Sequence, residues 1–342
     1  VARSKVDAAL REIAYLLERE GGQTRRATAF RKAAEALASL TPAERDERAR
    51  DGSWAALPGI GDTTARVIAQ ASAGGVPDYL ADVRAASASF DAEAGPVLRA
   101  IRGELHAHTD ASDGYAPLAE MVDAARALGR DYLAITDHSP RLTVAHGLDA
   151  GRLRAQLADI AALNETLAPF RLLTGIETDI LDDGALDQEP GLLDVLDVVV
   201  ASVHSKLRMD ADAMTHRMVA AVANPRSDIL GHCTGRLIAG GRGTRPQSAF
   251  DAEVVFEACR HFGKAVEINA RPERLDPPDD LLALASEIGC LFAIDTDAHA
   301  PGQLEWTVLG ARKARDVGIA AERIVNTWPV ERLLDWTASH QN

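Results

Sequence analysis

The sequence of 342 residues predicts an α/β protein in which a small all-helical module precedes a parallel sheet closed, or nearly closed, into a barrel. Three observations predict it. Residues 1–85 show helical spacing without a β-rich run. Residues 103–342 alternate seven short β-rich runs with helical segments of about 10 to 18 residues. No dinucleotide-type Gly-x-Gly-x-x-Gly follows the first run, which favours a barrel over a doubly wound sheet.

The elements follow in order. Leu10, Ile13, Leu16 and Leu17 share one helical face, and "ATAFRKAAEALASL" from Ala27 is rich in helix formers. "LPGIGDTTARVIAQ", residues 57–70, joins an apolar run to an amphipathic helix through a Gly-Ile-Gly turn, which is a helix-hairpin-helix signal. The small and mixed residues of 86–102 read as a linker, so the expected domains are 1–85 and 103–342. The seven runs are "GELHAH", "DYLAITDH", "RLLTGIE", "VLDVVVASVH", "SDILGHC", "KAVEINA" and "CLFAIDTDAH". Candidate helices such as "PLAEMVDAARALG" and "SAFDAEVVFEACRHFG" fill the gaps.

Charge is unevenly spread. The formal net charge is -14, but residues 1–85 hold 13 Lys and Arg against 12 Asp and Glu, leaving 24 against 39 for the rest. So acidic a barrel is a poor nonspecific binder of nucleic acid, and any contact with DNA must be local or helped by bound cations. Cys233, Cys259 and Cys290 lie far apart without Cys-x-x-Cys spacing, which speaks against a disulfide framework or a thiolate metal site and for a reducing cytoplasm. No apolar stretch is long enough for a membrane span or a secretory leader.

Every β-rich run ends in a residue capable of chemistry: His106 and His108, His138, Glu177, His204, His232, Asn269, then Asp297 and His299. In a parallel barrel all strand C-termini lie on one rim, so residues spread over nearly 200 positions converge there. Side chains repeat every two residues along a strand, so His-x-His and Asp-x-His each aim both groups at one face. One buried histidine is ordinarily a structural residue, but six of ten at strand ends beside acids form a pattern; His146, His216, His261 and His340 fall elsewhere and read as surface or structural. Asp110 and Asp137 are candidates to orient imidazoles. Imidazole and carboxylate without thiolate suit zinc, manganese or iron, and so many donors suit two or three divalent ions. Such a cluster polarises a phosphoryl oxygen and supplies hydroxide near neutral pH, which is the chemistry of phosphate ester hydrolysis.

"HAHTDASDG", "ITDH", "GIE", "ASVH", "GHCTGR", "EIN" and "DTDAH" resemble, in order, the motifs of the polymerase and histidinol phosphatase (PHP) family of metal-dependent phosphoesterases. "SVHSKLRMDADAMTHRM" and "EINARPERLD" look most like the PHP domain of bacterial family X DNA polymerases, which also carry an N-terminal helix-hairpin-helix domain. The resemblance implies a distorted (β/α)7 TIM-like barrel and a trinuclear site. Carried over by motif, the first metal takes His106, His108, Glu177 and Asp297. Glu177 bridges to the second, with His204 and His232, and the third takes Asp113, His138 and His299. Asn269 supports the site, and Lys206, Arg236, Arg271 and Arg274 are candidates to hold substrate phosphates. About 17 residues separate Ala85 from Gly103, too few for a polymerase palm, which excludes DNA synthesis. Val67 stands where the related lyase domain has its Schiff-base lysine, and Lys5 and Lys32 do not replace it.

The helical module is then expected to bind DNA. Gly59, Ile60 and Gly61 can present backbone N–H groups to a phosphate at a helix N-terminus, with Thr63 and Arg66 alongside and Arg25, Arg26, Arg31 and Lys32 adding charge. The expected activity is 3'-5' exonuclease or 3'-phosphatase at DNA ends. The rivals are a phosphatase of small esters, such as histidinol phosphate or a nucleotide, and a catalytically silent DNA-binding scaffold, against which the intact donors speak.

Overall fold

The computed structural model describes residues 4–21, 24–87, 95–241 and 243–341. The chain forms two compact units, Val1–Ser89 and Phe90–Asn342. Residues 88–94 of the expected linker lie outside the described residues, whereas Val97 and Ile101 sit in the barrel's core, so the second unit begins ahead of Gly103.

In the first unit, helix α1 (Lys5–Arg19) packs Leu10, Ile13, Ala14 and Leu17 against Phe30, Ala33, Ala34 and Leu37 of α2 (Thr24–Ala38). The alanines let the two helices approach closely. Helix α3 (Pro42–Asp51) opens on a Thr41/Glu44 capping box and stops at Gly52, whose φ of 72° suits a residue without Cβ. A short turn burying Trp54 leads into the hairpin, and α4 (Asp62–Ser72) returns Val67 and Ile68 to the same core. Helix α5 (Asp78–Ala86) closes the unit through Leu80. Val67 is thus a core residue, 1% exposed.

The second unit follows the predicted alternation. Helix α6 (Gly95–Ala100) precedes β1 (Gly103–Glu104), α7 (Leu118–Ala127), β2 (Tyr132–Ile135), α8 (Ala150–Leu167), β3 (Arg171–Asp179), α9 (Pro190–Leu193) and β4 (Val198–Ser202). Then come α10 (Ala211–Val222), β5 (Ile229–Leu230), α11 (Ala252–His261), β6 (Ala265–Asn269), α12 (Asp279–Ile288), β7 (Leu291–Asp295), α13 (Thr307–Val317) and α14 (Val330–Ser339). All neighbouring strands pair in parallel, in the order β1 to β7. A single bridge, Ala107 to Ala298, joins the segments after β1 and β7 and nearly closes the barrel. Beyond β1 and β7 the chain leaves the continuous ladder, with a bend at Leu105 and a left-handed turn of the backbone at Asp297, φ 51°.

Period-two alternation explains the layers. Ile176, Val199, Ala201, Val266, Ile268, Phe292 and Ile294 pack outward in one core with Met218, Phe256 and Leu282 of the helices. Tyr132, Ala134, Leu173, Val198, Val200, Ile229, Ala265 and Ala293 form a second cluster at the strand starts, covered by Val325, Trp328 and Leu333. Two and four residues further along these same strand faces stand Glu267, Asp295, Glu177 and Asp297, all buried.

Candidate metal centre

All nine donors expected at the rim come together. Glu177, at 1% exposure, is the hub. Its Oε1 lies 2.8 Å from His232 Nε2 and 3.1 Å from His204 Nε2; its Oε2 lies 2.9 Å from His138 Nδ1, 3.3 Å from His106 Nε2 and 3.6 Å from His108 Nε2. His108 Nε2 is also 3.4 Å from Asp297 Oδ1. Asp113 Oδ1 lies 3.5 Å from His138 Nε2 and 3.3 Å from His299 Nε2.

Three donor groups stand out: His106, His108 and Asp297; His138, Glu177 and His204; and His108, Asp113, His138 and His299. His108 and His138 each belong to two of them. The residues fit divalent cations on two counts. Donors about 2.1 Å from one tetrahedral ion lie about 3.4 Å apart, the spacing seen here. Buried atoms at the rim also lack hydrogen-bond partners among the described residues: His106 Nε2, both nitrogens of His108, Asp113 Oδ1 and Glu177 Oε2.

Without a cation the electrostatics divide the donors: carboxylates are held ionised and His108 neutral, while His204 and His106 keep a proton that a bound cation would have to displace. Burial alone would raise Glu177, but His204, His106 and His138 outweigh it and hold it well below the usual carboxylate range. Asp297 is likewise held low against burial, chiefly by Arg271. Burial and the neighbouring His299 and His138 push His108 down to about 3, so it stays neutral, as a ligand must be. His204 rises to about 9 despite burial because Glu177 and Asp179 face it.

Two orienting carboxylates were not singled out from the sequence. Glu267 Oε1 lies 2.5 Å from His106 Nδ1, while its Oε2 accepts the backbone N–H of His232 and Asn269 Nδ2 at 3.2 Å. Asp179 Oδ1 lies 2.5 Å from His204 Nδ1. Each fixes one ring nitrogen and leaves the other aimed at Glu177. Both were detectable, since Asp179 is two residues past Glu177 and Glu267 two before Asn269, on the same strand faces. Asp137 and Asp110, expected to orient imidazoles, do not. Asp137 accepts from Thr109 N, Thr109 Oγ1, Ser112 Oγ and Gln156 Nε2, fixing the loop that carries Asp113, and Asp110 is exposed. In that loop a Cβ at Gly114 would stand 2.7 Å from the Thr109 backbone, so only glycine permits the turn.

The four expected phosphate-holding cations divide. Arg271 donates to Asp297 O at 3.0 Å and lies 3.0 Å from His299 Nδ1. Arg274 Nε donates to Asp297 Oδ2 at 3.2 Å, and its Nη1 is buried without a partner among the described residues. Both line a cleft of about 230 Å³ over the donors, with Arg245 and the loop residues Leu142, Val144 and Ala145. Arg236 corrects the expectation: its guanidinium is committed to the carbonyls of Arg274 and Leu275, which braces the loop carrying Arg274. Lys206 is exposed, pairs with Asp182, and lines a neighbouring groove rather than the cleft. The other histidines stay outside the cluster: His146, His216 and His261 are exposed, while His340 Nδ1 bonds Asp228 at 2.7 Å.

In the helical module Gly59, Gly61, Thr63 and Arg66 are exposed around the hairpin, and Gly59 has a φ of 82°. Ile60 is instead a core anchor, 6% exposed. Arg26 lines one groove with Gly61 and Thr63, whereas Asp62 places an acid in the first turn of α4. Arg31 is withdrawn from any surface role, being 4% exposed and bonded to Glu18 at 2.5 and 2.7 Å.

Comparison with known proteins gives a PHP domain match over residues 104–271 and a helix-hairpin-helix domain match over residues 2–76. The DNA polymerase/3'-5' exonuclease PolX of Bacillus subtilis (strain 168) is 39% identical over 229 residues, covering 67% of this chain but only 40% of that protein. A probable phosphatase of Enterobacter sp. (strain 638) is 30% identical over 252 residues, covering 69% of this chain and 94% of that protein. A crystal structure of histidinol phosphate phosphatase from Lactococcus lactis, complexed with zinc, L-histidinol and phosphate, aligns at 18% identity and a TM-score of 0.48, over 64% of this chain and 94% of that one. Among the described residues no helix is long and apolar enough to cross a membrane.

Proposed function

The chain belongs to the PHP-domain family of metal-dependent phosphoesterases, and from that premise we propose that its barrel hydrolyses phosphate esters at DNA ends, as a 3'-5' exonuclease or 3'-phosphatase. The observation that carries the DNA reading is the helix-hairpin-helix module on the same chain, at residues 2–76. The likeness to PolX supports it. In this reading the exposed Gly59, Gly61, Thr63 and Arg66 contact backbone phosphates, which is indifferent to base sequence.

The proposed ligands are His106, His108, Asp113, His138, Glu177, His204, His232, Asp297 and His299, for two or three ions of the zinc, manganese or iron type. When bound, such ions supply Lewis acidity and a nucleophile at neutral pH. The chain's own groups do the rest. Glu267 and Asp179 hold His106 and His204 in one ring orientation. Arg271 holds Asp297 ionised, Arg274 Nε donates to its Oδ2 and keeps it in place, and Arg274 Nη1 is the donor offered to a phosphoryl oxygen. The cleft, at about 230 Å³, falls below the range typical of whole-ligand pockets, so it takes a phosphoryl group and its adjoining sugar while the rest of a strand lies outside.

The test uses labelled single-stranded and nicked DNA with Mn2+ or Zn2+. Wild type should shorten or dephosphorylate the strand, while the double variant Asp297→Asn, His106→Ala should not; equal activity of the two would sink the reading. A small-ester phosphatase is the second reading, favoured by the match along 94% of the Enterobacter phosphatase. It requires turnover of small phosphate monoesters with none of DNA.

A further inference from the structure

We propose that a groove beside the metal cleft is a subsite for the retained DNA strand, holding the nucleotide next to the scissile ester. The inference rests on the DNA-end reading and specifies how the barrel distinguishes a strand from a small ester.

The groove measures about 550 Å³ and is lined by Lys206, Leu207, Arg208, Met209, Arg245, Pro246, Gln247 and Ala249. Arg245 lines the cleft as well, so one side chain forms the wall common to both spaces. In a barrel whose acids outnumber its cations 39 to 24, this strip sets three cations around an apolar floor of Leu207, Met209 and Pro246. Cations spaced along an apolar trough are what a single strand needs: they meet its phosphates, while sugar and base rest on the floor without sequence preference. A small monoester seated in the cleft does not extend far enough to use them.

The groove is also built. Arg245 Nε donates to Gly235 O at 2.7 Å, and Leu237 and Arg245 pair across a short antiparallel bridge. Buried Ser248 donates to Leu207 O at 2.8 Å, tying the Lys206–Arg208 loop to that hairpin. A Cβ on Gly235, at φ 62°, would stand 2.7 Å from Leu207 Cδ2, so glycine there lets the two walls meet. Lys206 pairs with Asp182, but both are exposed, at 61% and 40% of their side chains, so an incoming phosphate displaces that pair at small cost. Arg208 is exposed on the groove wall.

The experiment compares kcat/KM for (dT)10 with kcat/KM for p-nitrophenyl phosphate, using the full chain with Mn2+, in wild type and in Arg208→Glu and Lys206→Ala/Arg208→Ala, which lie outside the cleft. The ratio should fall about tenfold in each variant, because the polymer loses charge contacts that the small ester never makes. For the double Ala variant the slope of log KM for (dT)10 against log salt should decrease by about 1.4. An unchanged ratio and slope in variants of an enzyme that degrades (dT)10 would falsify the subsite alone. Wild type that hydrolyses the small ester but leaves (dT)10 intact overturns the subsite together with the DNA-end reading. Circular dichroism of each variant, expected to match wild type, separates loss of a contact from loss of fold.

Discussion

The two ends of the barrel are made by the same strands yet have opposite chemistry. At the strand starts Leu173, Val198, Val200, Ile229, Ala265 and Ala293 form a dry floor under Trp328 and Leu333. Four residues later on the same faces stand Glu177, His204, Asn269 and Asp297, all within the rim of donors. Between them lies a layer that belongs to neither. Burial, with Glu267 nearby, pushes Asp295 up to about 7, and burial together with Asp295 raises Glu104 well above the carboxylate range. The contrast shows how a barrel tolerates so much buried charge. The apolar end supplies the folding energy, and carboxyls without a cationic partner are driven toward their neutral form.

The comparison can be broken at either end. The largest effect is expected at the hub: Glu177→Gln keeps volume but removes the charge facing five imidazoles, and kcat/KM for p-nitrophenyl phosphate should drop on the order of 1,000-fold. A drop of less than tenfold would remove Glu177 from the centre. At the floor, Leu173→Ala should cost about 2–5 kcal/mol in urea unfolding while turnover per folded molecule stays within about twofold. If activity collapsed with stability, floor and rim would not be separable. Glu267→Gln probes the join between them. Metal affinity, read by competition with a chromogenic chelator, should weaken about 10–100-fold, with the unfolding midpoint of chelator-treated protein nearly unmoved. A purely structural Glu267 would give the reverse.

The smallest effect is a pH dependence at the floor end. Lys264, 3% exposed and one residue before β6, is pushed down by burial to about 8 from 10.5, against the pull of Asp228. Between those two values the unfolded chain holds a proton that the folded chain has lost, so stability should rise with pH through that window and carry a penalty below it. Lys264→Met should flatten the rise and add on the order of 2 kcal/mol at pH 7. Urea titrations at pH 7, 8, 9 and 10 measure both; parallel curves for wild type and variant would show that Lys264 is already solvated.

Much of the rim was legible because its signal is local: a β-rich run ending in His, Asp or Glu six times, and in Asn269 once. His106 with His108 needs only the period-two spacing to share a face, whereas Asp297 and His299 lie past β7 and are brought to the rim with Asp297 at φ 51°. Arg31 and Arg236 were misread because an arginine's partner is set by tertiary packing. Glu18 and the carbonyls of Arg274 and Leu275 take those guanidinium groups out of reach of any phosphate. Asp137 was misread for a related reason: being next to His138 in sequence turns its side chain to the other face of the strand, toward Thr109, Ser112 and Gln156. Asp179 and Glu267 obeyed the period that revealed their neighbours and were missed because Asp179 lies two residues past the run read as ending at Glu177, and Glu267 two residues before Asn269.

By itself the sequence determined the number and order of the βα units, the helical module ahead of them, and the donor types at each strand end, since all of these follow from periodicity and composition along the chain. Only the tertiary structure decided which donors stand within about one ligand sphere of one another, which arginines line the cleft, and that Arg245 joins the cleft to the groove beside it. Those depend on the angles and separations of elements distant in sequence, and no pattern read along one strand contains them.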